Sequence, residues 1–320
     1  MSRFADRILR EFPVRRTPQE KERFRLFLMG ALRELGYDPK LQTREASLRR
    51  GGQVTNVVVG DLETAKLILV AHYDTGVRTL LPPLIMPTRP LTGFLYLALT
   101  PVCALLGNLL ISFGIPFLIT YATDYRVDLS GLVTPLFFLL LLAALLYLRF
   151  GPSETHNVDD NASGVVTLLE TAAALTPRYR AEAAFVFLDG GFAGMSGAKS
   201  FRARYPSAKE RPVIDVNCVA RGDELLILPN RTSRWNGELL DAILDSFDGK
   251  GNKTVFLKTD SLVYYPSDNR VFRQSVSICG CVDLRGFGRI IMPRNAESID
   301  EANVGILSSG LCKLISNYNK

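Results

Sequence analysis

Residues Lys66–Thr75 read KLILVAHYDT, five apolar residues closed by His-Tyr-Asp-Thr. Apolar character without polar alternation suits a central strand covered on both faces, so His72 and Asp74 are expected at its end. Asn56–Gly60 (NVVVG) is a strand of the same kind just upstream, and Ala183–Leu188, Val213–Val219 and Ser275–Val282 are further candidates. A helical run, Val165–Leu175, opens at Asn161–Gly164. Strands alternating with helices indicate an α/β fold, a mostly parallel sheet sandwiched by helices. The polar residues His72, Asp74, Asp189 and Asn217 all fall at or just beyond strand ends, the edge of an open α/β sheet where ligands bind.

Upstream, Thr17-Pro18-Gln19-Glu20 reads as a capping box with proline at the first helical position. Phe24, Phe27, Leu28, Ala31 and Leu35 recur at helical spacing and Gly36 supplies the stop, which predicts an amphipathic helix lying over the sheet. The 320-residue chain is long enough for one large α/β domain or two small ones. Its formal net charge of +6 favours anionic surfaces. The Lys and Arg residues are spread along the chain, form no stripe, and do not indicate nucleic acid. Five cysteines, odd in number and without framework spacing, fit a reducing setting. Cys279 and Cys281 are alternate residues of a strand and are expected as buried core thiols.

No charged residue occurs from Pro90 to Thr123, and a second uncharged run, LSGLVTPLFFLLLLAALLYL, covers Leu129–Leu148. Each is long enough to span, since about 20 apolar residues cross a hydrocarbon core. The alternative is a hairpin buried in a large core, but Leu136–Leu148 is apolar on every side, unlike a helix with one buried face. The expected spans, about 91–119 and 129–148, make residues 89–149 an inserted transmembrane hairpin between domain segments 1–88 and 150–320. Pro101, Gly107, Gly114 and Pro116 are candidate kinks in the longer span. If the segments flanking the insertion build one site, the number of spans must be even. Arg78, Arg89 and Arg149 flank the hairpin, against Asp124, Arg126 and Asp128 in its loop, so the positive-inside rule places the globular part in the cytosol at the cell membrane.

A lone His-x-Asp more often marks a satisfied pair than a site. Followed by Asn157–Gly164 (NVDDNASG) and a helix, it is far more specific. With these motifs the sequence resembles the co-catalytic zinc aminopeptidases of metallopeptidase family 28, whose relatives include bacterial leucyl aminopeptidases and glutaminyl cyclases. The likeness takes in FPVRRTPQEKERF, NVVVGD, VAHYDT, NVDDNASGVVTLLE, FVFLDGGFAGMSGAKSF, VNCVARGD, YYPSDNRVF and SIDEANVGIL, leaving out the apolar insertion. It looks closest to a membrane-inserted bacterial branch.

The resemblance implies a zinc-aminopeptidase-like fold and two zinc ions sharing a bridging carboxylate. Each ion takes one His and one further carboxylate, and a Glu beside a ligand Glu serves as general base. Such metals polarise a carbonyl and supply hydroxide at neutral pH. Carried over, His72 matches the first His ligand, Asp74 the carboxylate that orients it, and Asp160 the bridging ligand, with a cis peptide expected at Asp160–Asn161. The remaining positions depart from the pattern. Where the family has Glu-Glu after its third strand, this chain has Gly191 at the general-base position and Phe192 at a ligand position. Asn217 stands for the next Asp ligand and Ile291 for the last His. One half-site therefore keeps His72, Asp160 and a weak amide donor in Asn217, whereas the other keeps Asp160 alone. His156, the only other histidine, is a candidate recruit. Without metal, His72 is expected to be protonated between Asp74 and Asp160, or these residues serve to hold loops, an Asp capping the helix near Asn161.

The expected cofactor is accordingly none, or one weakly bound zinc. The expected function is a membrane-anchored pseudopeptidase that binds a peptide or protein partner, with no catalytic residue retained. An active hydrolase using one metal or unrecognised ligands is the alternative. Ser163, Ser196 and Cys218 are candidate nucleophiles, none in a G-x-S-x-G elbow, and small-residue packing accounts for each. A basic module for anionic lipid or nucleic acid is a third reading, without a recognition motif.

Overall fold

A computed structural model describes residues 3–44, 53–79, 83–260, 262–286, 288–294 and 296–318. Helices α1 (Arg3–Glu11) and α2 (Pro18–Glu34) lead into β1 (Lys40–Arg44), β2 (Val54–Val59) and β3 (Leu67–His72). The apolar insertion forms α3 (Pro90–Leu109), α4 (Ile115–Ala122) and α5 (Val133–Phe150). Then follow α6 (Gly164–Ala174), β4 (Ala183–Leu188), α7 (Ser196–Arg204), β5 (Val213–Val216), β6 (Glu224–Pro229) and α8 (Gly237–Ser246). The chain ends with β7 (Thr254–Leu257), β8 (Ser275–Leu284), β9 (Gly288–Ile290) and α9 (Glu301–Asn317).

The strands form one sheet in the order β1-β2-β4-β3-β5-β8-β6-β7, with β9 on β8. The expected parallel pairing holds for the central four strands, β4-β3-β5-β8, and β7 also runs parallel to β6. β1, β2, β6 and β9 join their neighbours antiparallel, so the sheet as a whole is mixed. β3, β4 and β5 are buried at every position, which explains their unbroken apolar runs. Leu67, Leu69 and Ala71 pack with α1, α2, α6 and α9 on one face, while Ile68 and Val70 pack with α7 on the other. Cys279 and Cys281 are buried in β8, as expected of core thiols.

The capping box forms at α2. Thr17 Oγ1 accepts from the Glu20 amide at 3.3 Å and Glu20 Oε2 accepts from the Thr17 amide at 2.8 Å. Phe24, Phe27, Leu28 and Ala31 are the face it buries.

Pro90–Ala122 and Ser130–Phe150 are long and apolar enough to cross a membrane. They are not core helices, for Leu110, Phe117 and Leu148 are 72%, 68% and 64% exposed. The first segment stays helical past Pro101 and passes through a π-helical turn, Leu110–Gly114, just before Pro116. A ring without an N–H breaks the regular ladder there, and a wider turn absorbs the mismatch. Asn108 ties the two helices, donating to the Phe137 carbonyl at 3.3 Å and accepting from Ser112 at 3.0 Å. At the base, Val77 bridges Ser153, Tyr147 donates to the Arg78 carbonyl, and Arg16 donates to the carbonyls of Arg149 and Gly151. The hairpin thus leaves the domain from the sheet edge where β3 ends in His72. Trp235 lies at the opposite edge, since it follows Pro229, which pairs with Val276 at the beginning of β8.

Candidate functional site

A cleft of about 450 Å³, open space at its mouth included, lies at the carboxyl ends of the central strands. It is lined by His72, Ile85, Asp160, Gly191, Phe192, Met195, Asn217, Cys218, Tyr265, Pro266, Ser267 and Asp268. No Lys or Arg is among them.

His72 ends β3 with its ring buried between two carboxylates. Nε2 lies 3.0 Å from Asp160 Oδ1 in a hydrogen bond, while Nδ1 lies 3.4 Å from Asp74 Oδ1, an ion-pair distance without hydrogen-bond alignment. Burial pulls the imidazole pKa down, but Asp160 and Asp74 outweigh it and hold His72 well above its ordinary value. The two carboxylates thus favour the protonated ring. Asp74 is also buried, yet His72, Lys21 and the Gly191 amide hold it below the usual carboxylate range. Its two oxygens accept from the amides of Gly191 at 2.7 Å and Phe192 at 3.2 Å. Asp74 thereby fixes the very loop that stands opposite His72.

The DDNASG turn is held by three of its own side chains. Asp159 accepts from the Ala220 amide at 2.7 Å, and Asn161 donates to the Val216 carbonyl at 2.9 Å and accepts from the Gly164 amide at 3.0 Å. Ser163 donates to the Asp159 carbonyl at 2.8 Å and accepts from the Val219 amide at 3.0 Å, so its hydroxyl is spent on packing. The Asp160–Asn161 peptide is cis, as expected. The helix-capping role anticipated for an Asp is taken by Asn161, and the Asp160 carboxylate is left facing His72. Gly164 is required at this corner, where a Cβ would run into the Val216 carbonyl and the Asn161 side chain.

Phe192 forms the facing wall, its ring edge-on to the His72 imidazole at 5.4 Å and 83°. A Cβ on Gly191 would meet that imidazole at 2.8 Å. Asn217 and Cys218 follow β5 into the cleft, where the Cys218 thiol donates to Asn217 Oδ1 at 3.3 Å. Burial pushes that thiol far up, which removes the thiolate a nucleophile needs. Ser196 starts α7 and donates to the Gly190 carbonyl at 3.4 Å. Ile291 is buried behind the cleft, in a backbone bridge with the lining residue Ile85; Asn295 of the same stretch lies outside the described residues. His156 is not brought to the cleft. Its ring is 61% exposed and sits beside Glu154.

Four side chains escaped the sequence reading. Asp268 and Tyr265 line the cleft, and neither Asp268 Oδ1 nor the Tyr265 hydroxyl has a hydrogen-bond partner among the described residues. Burial, with Asp215, Asp74 and Asp160 nearby, raises Asp268 to about 7. Asp215 accepts from Ser267 Oγ at 2.5 Å and is raised to about 6 by burial. The signal available was an Asp between Ser and Asn inside the aromatic stretch YYPSDNRVF. Arg15, fully buried, donates from Nε to the Tyr73 carbonyl at 2.5 Å and from Nη1 to that of Phe12 at 2.6 Å. Burial lowers it to about 10, with Asp74 and Asp160 opposing the fall. It is a permanent cation beneath two site carboxylates.

Comparison with known proteins places this geometry. The model of peptidase family M28 matches residues 148–283, which include Asp160, Phe192, Asn217 and Asp268. Over this segment the chain is similar to peptidase family M28. The fold extends the likeness over the whole chain. Porphyromonas gingivalis glutaminyl cyclase is 14% identical with a TM-score of 0.57, covering 98% of this chain and 95% of its own. A leucine aminopeptidase precursor from Bacteroides thetaiotaomicron is 15% identical with a TM-score of 0.56, covering 99% and 95%. A Zn-dependent exopeptidase from Parabacteroides distasonis is 14% identical with a TM-score of 0.56, covering 99% and 96%. At such identities the likeness is one of fold. Among curated proteins, none matches the chain.

The donors beside Asp160 do not fit an M28 pair of zinc ions. They are one imidazole, already hydrogen-bonded through Nε2, the amide of Asn217, the Cys218 thiol held protonated by burial, and the Asp268 carboxyl on the cleft floor. Among the described residues, no group of three or more His, Cys, Asp or Glu side chains could hold a metal ion. A dication needs charged or strongly basic donors to offset its desolvation, and a ring or an alkyl chain offers neither.

Proposed function

We propose that this chain is a membrane-anchored M28-type protein that binds a peptide or protein partner in the His72 cleft without cutting it. The observation that carries this reading is the wall facing His72, made of the Gly191 backbone and the Phe192 ring at 5.4 Å. By the family resemblance, a general base and a metal-binding carboxylate belong at those positions. The cleft retains the polar and aromatic lining suited to a ligand.

On this reading α3–α4 and α5 cross the cell membrane and the sheet domain is cytosolic, the side favoured by Arg78, Arg89 and Arg149. Ile85, a lining residue of the cleft just ahead of the first apolar helix, supports placing the mouth near the bilayer. The test is metal analysis of the purified full-length protein together with a broad aminopeptidase and glutaminyl-cyclase screen. We expect substoichiometric zinc and no chelator-sensitive turnover; about two zinc per chain with chelator-sensitive hydrolysis overturns the proposal.

A second reading, hydrolysis with a single weakly held metal, is favoured by one juxtaposition. His72, Asp160 and Asn217 all line the same cleft. One metal per chain, lost together with activity in an Asp160→Ala variant, would select it.

A further inference from the structure

The loop between β7 and β8 turns two apolar side chains outward, Leu262 at 76% exposure and Tyr264 at 44%. Val263 between them packs inward on the cluster of Cys218, Leu226 and Cys279, which Ile85 also joins. Isolated exposed leucines are ordinary on soluble domains. The position of this pair is not. The Tyr264 amide donates to the Pro87 carbonyl at 3.0 Å, tying the loop to the chain just before α3 leaves the domain. The Tyr264 hydroxyl accepts from Arg270 Nη1 at 2.6 Å, and that guanidinium lies 5.0 Å over the Tyr264 ring. A tyrosine with an arginine at the root of an apolar helix is the combination that settles at the headgroup level of a bilayer.

We propose that Leu262 and Tyr264 form a third membrane contact, inserting into the interfacial region of the bilayer that α3–α4 and α5 cross. The partner is the lipid bilayer itself, and the proposal rests on the reading that those helices span it. Its consequence concerns the cleft. Tyr265, Pro266, Ser267 and Asp268, which follow directly, form part of the cleft lining. On this proposal the stretch that touches lipid runs directly into the cleft lining. An apolar leucine at that depth gains burial, whereas a charge there costs.

The experiment uses tryptophan quenching by acyl-chain-brominated phosphatidylcholine in vesicles holding the full chain. Native Trp235, 87% exposed at the opposite edge of the sheet, is the internal control and should keep its emission. In a Trp235→Phe background, Leu262→Trp should lose most of its emission, as should Leu142→Trp within α5. Should Leu262→Trp fail to fold, Tyr264→Trp replaces one aromatic by another and carries the same readout. Quenching at 142 but not at 262 or 264 overturns the third contact alone, and then the loop is left as a surface for a protein. No quenching at 142 overturns the spanning reading, and this proposal with it.

Discussion

The two sides of the cleft are built on opposite rules. On the DDNASG side, Asp159, Asn161 and Ser163 each meet a backbone partner from the end of β5 or the segment after it, and only Asp160 is turned to the cavity. On the other side stand a bare glycine, the Phe192 ring, and a floor where Tyr265 and Asp268 keep buried polar atoms without partners among the described residues. Burying an unmatched polar atom costs about 1–3 kcal/mol, so the first side is a scaffold and the second stores unmet hydrogen-bonding capacity. A ligand that supplies donors is what the second side lacks.

The sharpest way to break the scaffold side is Gly164→Ala. The added methyl meets the Val216 carbonyl, and neither β5 nor the start of α6 can retreat without disturbing the core. We expect a loss of about 4 kcal/mol or more, read as collapse of folded yield or of the melting transition in detergent.

Asp268→Asn addresses the floor through pH. Burial holds the Asp268 carboxyl above its unfolded value, at about 7. The folded state thus keeps a proton that the unfolded chain releases. This contribution is intact below about pH 4 and is lost as pH rises to about 7, reaching about 3–4 kcal/mol. The amide cannot ionise, so the variant should match the parent near pH 4, exceed it increasingly up to pH 7, and run parallel above. Denaturant titrations at pH 5 and pH 8 check this. An unchanged difference between the two would show that Asp268 is ionised at no cost.

Asp74→Ala tests whether one carboxylate supports both sides at once. Its loss leaves the Gly191 and Phe192 amides without their acceptor and deprives His72 of one of its two anions. A cost of about 2–3 kcal/mol is expected. The His72 pKa should fall as well, seen by NMR as a move of its imidazole titration midpoint to lower pH. A stability loss without that move would limit Asp74 to holding the loop.

What the sequence made legible follows this division. Ala183–Leu188 and the run into His72 could be read because burial on both faces leaves no polar interruption. The edge strand β1 (KLQTR) was silent, since four of its five residues are exposed, and β7 is short and only half-buried. The antiparallel placement of β6 depends on the turn after Asn217, where Gly222 takes a φ of +99°, and no periodicity announces that. The scaffold side of the cleft was legible because its residues are contiguous. Asp268 and Tyr265 were not, because a long connection after β7 carries them across the sheet, and only tertiary packing sets them beside Asp160. His156 shows the converse, for it lies four residues from Asp160 in sequence yet turns to solvent.

The smallest expected effect is the most pointed. Phe192→Glu puts a carboxylate where the ring now faces His72, beside Asp160. The backbone can carry it, because Asp74 already fixes the 191–192 amides and the Phe192 side chain is half-exposed. With His72 and Asp160 the new carboxylate would form a donor set at the wall that now presents only a ring. Zinc affinity, measured by competition with a chromophoric chelator, should rise about tenfold, or about 1.4 kcal/mol. The rise should vanish when His72→Ala is added, because the imidazole supplies the nitrogen. The gain stays modest because His72 must first give up its hydrogen bond to Asp160. Zinc binding already tight in the parent, and unmoved by the new carboxylate, would mean that the apolar wall is no obstacle to metal and that the contrast between the two sides has no bearing on function.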